Sequence, residues 1–368
     1  MTMIPIRVSA ALLLCSSAAA LNAGAAPKRA LRGLFERAVA DDVLACPIDK
    51  EPLRAEVSVV GGLSRERRVS SAGVRYPVNQ LYADLLPTAG RATATLGLDE
   101  LRDELTDAWS NRVQTSLFRS PLTAFLYERG WRDNFKNAGF PGIDVEFEEV
   151  SKFFEPAIGG TVVDMSCGSG LMTRRLVKSG SYGRVLALDY SEAMLTETAR
   201  RVREEGVPTS ALTLCRADVA NLPLRPASVD AMHAGAAMHC WPRLEEGLQQ
   251  IRQSLKPGGR FFATTFLQGA YGAGTPPNGG GFRFFVDEAE LEQLLIVAGF
   301  EASGVEVRRE GRGCAIIKAV VPALEPATEE VLPMEAKEDL DEDVESDVDA
   351  EANDDNADVG SFVEKLDI

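Results

Sequence analysis

From about residue 145 onward, two hydrophobic periods alternate along the chain. Short apolar runs around Val162-Val163 and over Arg184–Asp189, Leu212–Arg216 and Ser228–His233 read as strands buried on both faces. Between them lie stretches whose apolar residues recur every third or fourth position, at roughly Leu171–Lys178, Glu192–Glu205 and Leu244–Leu255, and these read as helices. Lys256-Pro257-Gly258-Gly259 predicts a turn into a strand over Arg260–Phe266. Asp287 with Glu290 three positions on predicts a capping box opening a helix that ends at Gly299. Two last strands, Ala302–Arg309 and Gly313–Val321, are joined through Glu310-Gly311-Arg312. The alternation predicts an α/β fold: a Rossmann-like, doubly wound, mostly parallel sheet with an antiparallel C-terminal hairpin supplying a reversed edge strand.

The flanks carry different patterns. Residues 97–158 read as a helical cap or lid. LDELRDELTDAW places Leu98, Leu101, Leu105 and Trp109 on one stripe, and Ser120-Pro121 is a helix start. Phe125, Tyr127, Trp131 and Phe135 are either core aromatics or part of a lid over a ligand, and a helix follows over Val145–Phe154. Residues 43–90 form a small β-rich unit. Residues 1–40 hold no acid before Glu36 and carry Arg7, Lys28, Arg29 and Arg32, as in an organelle transit peptide. The run Val8–Leu14 followed by small residues also fits a secretory signal. Residues 322–368, rich in Pro, Glu and Asp, read as a disordered tail that solubilises the chain or binds a basic partner. The domain from about 145 to 321 carries the chemistry.

That chemistry starts at Thr161–Leu176, TVVDMSCGSGLMTRRL, a strand, a glycine turn and a helix. Gly168 and Gly170 have no Cβ to keep a ligand from the backbone. Asp164 just before them would repel a pyrophosphate, which wants only N–H donors at a helix N-terminus. It suits S-adenosylmethionine, which carries an ammonium and a sulfonium. Ser166 stands where a dinucleotide fingerprint needs glycine. Asp189 ends the second strand, 19 residues past Gly170, where a carboxylate can accept two ribose hydroxyls. Asp218 follows the third strand and can receive the adenine amine. Gln268–Gly281, with six glycines, is a mobile lid or a tolerant insertion.

Charge and cysteine change this picture little. The net charge of −16 arises in the tail, where 18 acids face Lys337 and Lys365, leaving 37 bases and 37 acids elsewhere. A neutral body offers no footprint for nucleic acid. Six scattered cysteines with no CxxC pair argue against a disulfide framework. No run is apolar enough to span a membrane.

The acid before the glycines, Asp189, Asp218 and the LKPGG turn together resemble class I S-adenosylmethionine-dependent methyltransferases, among them the ubiquinone/menaquinone-biosynthesis type. FRSPLTAFLYERGWR, GFPGIDVEF, DMSCGSGL, ALDYSEAML, RADVANLPL and VDAMHAGAAMHCWP resemble the plant and algal chloroplast methyltransferases of unassigned substrate. The resemblance covers about residues 43–320. It implies S-adenosylmethionine as cofactor, held by Asp164, Ser166, Cys167, Gly168, Gly170, Asp189, Tyr190, Met194, Asp218, Val219 and Gly235. It also implies a plastid location, on plastid lipid particles in this group. Residues 43–90 resemble a zinc ribbon, yet only Cys46 remains and Asp49 stands in for the second thiolate, so a metal-free, degenerate ribbon is expected. The acceptor is expected to be an apolar small molecule of quinone or lipid-like phenol type. His239, one of two histidines, is the candidate base, with a structural imidazole as its alternative. Two other functions stay open: an RNA methyltransferase using the Arg65–Arg68 cluster, and a non-catalytic cofactor-binding scaffold acting through the acidic tail.

Overall fold

A computed structural model of the chain describes residues 42–60, 63–90, 132–270, 278–279 and 282–323. The expected leader, the stripe from Leu98 to Trp109, the Ser120-Pro121 helix with Phe125, Tyr127 and Trp131, most of the glycine-rich stretch and the tail past 323 lie outside the described residues.

Alternating residues in the N-terminal unit build a three-stranded antiparallel sheet of β1 (Arg54–Val60), β2 (Leu63–Val69) and β3 (Arg75–Pro77). Cys46 is buried beside it with Sγ 3.1 Å from the Tyr76 hydroxyl, and burial raises its thiol pKa. The Asp49 carboxylate turns back to accept the Glu51 amide at 3.0 Å. Among the described residues no cluster of three His, Cys, Asp or Glu is placed to hold a metal. In the Arg65–Arg68 cluster, Arg68 is buried and pairs with Glu66 at 2.7 Å. The cluster is therefore not one continuous basic face.

The unit joins the main sheet through β4 (Ala83–Asp84) and then a single helical turn, α1 (Pro87–Gly90). The main strands are β5 (Thr161–Met165), β6 (Arg184–Asp189), β7 (Leu212–Arg216), β8 (Val229–Ala234) and β9 (Leu255–Phe266). A two-residue ladder, β10 (Asn278–Gly279) with β11 (Phe282–Arg283), precedes β12 (Val305–Glu310) and β13 (Cys314–Val320). The eight-stranded order is β12-β13-β9-β8-β5-β6-β7-β4. All pairs from β4 to β9 are parallel, and β13 runs antiparallel to both its neighbours. The reversed strand is thus internal, not the expected edge, because β13 inserts between β9 and β12. Lys256–Gly259 belongs to β9 instead of forming a separate turn, and the ladder to β8 is irregular there.

The strands are buried on both faces because helices cover both. Along β5, Val162 packs with α2 (Ile143–Phe153), α3 (Leu171–Ser179) and α4 (Glu192–Glu204). Val163, facing the other way, packs with α5 (Leu244–Ser254) and α6 (Glu288–Val297), together with Leu44 and Leu53 of the N-terminal unit. The caps follow the sequence: Ser191 Oγ accepts the Met194 amide, and Asp287 accepts that of Glu290 at 2.9 Å. The Glu290 carboxylate reaches one residue further back than expected, to the Val286 amide.

Candidate cofactor site

From β5 the chain proceeds outward to β6 and β7, and from β8 to β9 it proceeds the other way. The carboxyl ends of β5 and β8 therefore meet at the topological switch point, where open α/β sheets bind ligands. One cavity lies there. Its wall includes Ser166 and Gly168 of the turn, then Asp189, Tyr190 and Met194 after β6. Asp218 and Val219 after β7, and Gly235 and His239 after β8, complete the predicted part. Asp164, Cys167 and Gly170 are not in its wall.

The turn shows why. Gly168 and Gly170 hold positive φ angles of 58° and 79°, and Ser166 holds 54°. Ser166 thus adopts the left-handed conformation that glycine takes freely, with its Oγ accepting the Trp241 indole N–H at 3.0 Å. Its residue type, read above as a departure from the dinucleotide pattern, leaves the backbone path of a glycine intact. A Cβ on Gly170 would stand 2.6 Å from Thr198 Cγ2, so the close approach of helix α4 requires glycine here. The Thr198 hydroxyl donates to the Gly168 carbonyl at 2.8 Å. Cys167 is turned into the core beneath the turn.

Asp164 is committed elsewhere. One oxygen accepts the Thr173 hydroxyl at 2.5 Å, and the other faces His233 Nδ1 at 2.8 Å. His233 Nε2 lies 3.0 Å from Glu146 Oε1, on α2. All three residues are at most 2% exposed. Burial alone would lower the His233 pKa, but the hydrogen bonds and charges of Asp164 and Glu146 raise it to about 9. The imidazolium then donates to a carboxylate on each side. Asp164 therefore lies behind the cavity wall, paired within the protein.

Asp189, expected to meet the ribose, stands in the cavity wall. Its two oxygens accept the Gly168 and Ser191 amides, each at 2.8 Å. Burial raises its pKa to about 6, against the lowering effect of those amides. An under-solvated carboxylate in a cavity wall gains from two hydroxyl donors. Ser191 supplies the cap of α4, so Asp189 is not needed for that task. Asp218 accepts the Ala220 amide at 3.0 Å and pairs with Arg243 at 2.9 Å.

His239 faces the same space from a short turn after β8. Its ring lies edge-on to Phe266 at 4.7 Å and beside Phe282 at 5.5 Å. Burial pushes its pKa down to about 3, so it stays neutral, and its Nδ1 is buried without a hydrogen-bond partner among the described residues. Phe135 also lines the cavity and packs on Phe266 at 5.0 Å.

Glu146, Thr173 and Arg243 escaped the sequence reading, as did the partner of Trp241, which that reading assigns to packing. Glu146 had a signal, a carboxylate flanked by Val145 and Phe147 on a helix whose neighbouring turn buries Val150. The pairing of Trp241 with Ser166 had none, since 75 residues separate them.

Residues 162–259 match the family described as a methyltransferase domain. An uncharacterized chloroplastic methyltransferase of Arabidopsis thaliana is 40% identical over 240 residues, 64% of this chain and 64% of the relative, so somewhat under two thirds of that protein is spanned. A second one from the same plant is 38% identical over 275 residues, 70% of this chain and 73% of the relative. A 2-phytyl-1,4-naphtoquinone methyltransferase of Nostoc punctiforme is 34% identical over 114 residues, 31% of this chain and 49% of the relative. Identity of 38% sustained over nearly three quarters of a relative's length, running through the strands that converge on this cavity, places the chain among the S-adenosylmethionine-dependent methyltransferases.

Proposed function

We propose that the protein methylates an apolar small molecule, a quinol or lipid-like phenol, in the plastid. The observation that carries this reading is the apolar part of the cavity shared with Asp189: a neutral imidazole, its Nδ1 without a partner among the described residues, set among Phe135, Phe266 and Phe282. The chloroplastic relatives support the location, and the naphthoquinone-methylating relative supports the substrate class. Asp189 would hold the ribose hydroxyls, and Asp218 with Val219 the adenine edge. Gly168 and Gly235 would border the amino-acid end. The bound cofactor supplies a methyl carbon on a positively charged sulfur, open to in-line displacement. The protein's own part is alignment and exclusion of water by the phenylalanine wall. His239, kept neutral by burial, is placed to accept a hydrogen bond from the acceptor's hydroxyl and so to orient it toward the methyl group. The hydroxyl proton leaves to solvent as the nucleophile forms. The degenerate ribbon of residues 43–90 serves as a structural flank of the sheet.

Isothermal titration with S-adenosylmethionine, followed by transfer assays on naphthoquinols and phenols, tests this. Binding in the micromolar range is expected. His239→Ala is expected to lower kcat by roughly 10²-fold or more while leaving cofactor affinity within a few-fold. Equal loss of both would make His239 a packing residue. Steep salt-dependent binding of RNA, with no turnover of small acceptors, would favour the RNA reading.

A further inference from the structure

A charged device stands directly behind one wall of the cavity. That wall is Gly235, where a Cβ would lie 2.8 Å from His233 Cε1 and 2.9 Å from Glu146 Oε1. Only a backbone without a side chain separates the cavity from the Glu146–His233–Asp164 chain. The charge these three side chains carry between them follows from counting protons. Two nitrogen–oxygen hydrogen bonds, at 2.8 and 3.0 Å, join one imidazole to two carboxylates. Each bond holds one proton, whichever atom carries it, so the three groups sum to −1. They are at most 2% exposed, so water screens them little.

The two forms of the cofactor differ in charge at one atom. S-adenosylmethionine carries a sulfonium and its product S-adenosylhomocysteine a neutral thioether, while ribose, adenine and amino-acid groups are shared. A buried negative charge beneath the wall acts on that difference alone. Resting on the cofactor reading above, we propose that the Glu146–His233–Asp164 chain is a specificity device. It favours the charged cofactor over its neutral product and so limits competition by the product for the site. Glu146 and Asp164 are positioning and field residues that touch neither molecule; Glu146 adds its charge from α2, an element outside the nucleotide-binding strands.

The test is the ratio of dissociation constants for S-adenosylhomocysteine and S-adenosylmethionine, measured by calorimetry on the full chain. Glu146→Gln and Asp164→Asn each remove one carboxylate, from opposite sides of His233, and retain an oxygen for its hydrogen bond. The ratio is read at pH 6, where the carboxylate that remains keeps the imidazole charged, so that each variant takes one negative charge from the group. Each is expected to shift the ratio toward the product by several-fold to about ten-fold, mainly by weakening S-adenosylmethionine. Thr173→Val deletes a neutral hydrogen bond to Asp164 and is expected to leave the ratio unchanged, although it lowers stability. If either charge variant fails to fold, the other reads the same quantity. Wild-type protein that binds both ligands, with variants that weaken both equally, overturns this inference and leaves the cofactor reading standing. Wild-type protein that binds neither ligand overturns both.

Discussion

Asp189 shows what a single buried carboxylate makes measurable. Its pKa, raised to about 6 by burial, governs whether it accepts or donates hydrogen bonds. Above that value the carboxylate accepts two hydroxyls; below it the neutral acid has lost an acceptor. Affinity for S-adenosylmethionine is therefore expected to be flat above pH 7 and to fall, at most about ten-fold per unit, as the pH drops through 6. Titrations at pH 5 and pH 8 check this, and pH-independent affinity would remove Asp189 from the site. Ser166 gives a second expectation at this scale. Ser166→Ala keeps the left-handed strain and loses the Trp241 hydrogen bond, so it is expected to cost about 1 kcal/mol. Ser166→Gly loses the same bond but sheds strain of about 1–2 kcal/mol, so it is expected to be the milder change in denaturant unfolding. The residues that sequence could place were those fixed by local geometry: an acid at a strand end, glycines in a turn. It did not show the partners of Asp164, since Thr173 and His233 come from a helix face and a strand that no local pattern couples to it.

At the scale of elements, α2 is tied to the sheet by a charge chain as well as by apolar packing. His233 is held charged in the fold, with a pKa of about 9 against an ordinary 6.5. A raised basic pKa contributes stability that is complete below the unfolded value and is lost as pH rises through the folded one. Melting temperature is thus expected to decline between pH 7 and pH 9.5. In His233→Gln that decline should be smaller, from a lower starting stability; an identical slope would show that His233 does not titrate with folding. Arg216 links elements on the other side of the cavity. Its guanidinium donates to the Tyr190 carbonyl at 3.0 Å and reaches Asp84 of β4 at 3.1 Å and Glu192 at 2.8 Å. Arg216→Met is expected to raise KM for the cofactor several-fold with little change in kcat, because it loosens the Tyr190 loop and no reacting group. The alternating periods made β5 to β9 and their helices visible in advance. The position of β13 was hidden, since a hairpin pattern fixes which strands pair with each other and not which of them faces the rest of the sheet.

For the molecule as a whole, the flanking β4 is the feature with the widest reach. It pairs in parallel with β7, aligning Ala83 with Cys215 and Asp84 with Arg216, and the latter two lie 132 positions apart in the chain. This contact closes one of the longest loops among the described strands, and its entropy must be met before any of its enthalpy is returned. During synthesis, or during any N-terminus-first passage through a narrow channel, the strand emerges long before the sheet it completes. The molecule is thus built to finish folding at its beginning. Refolding is expected to show cofactor-independent formation of the β5–β9 sheet first and docking of residues 42–90 last, which pulse-labelled hydrogen exchange of the β4 and β7 amides resolves in time.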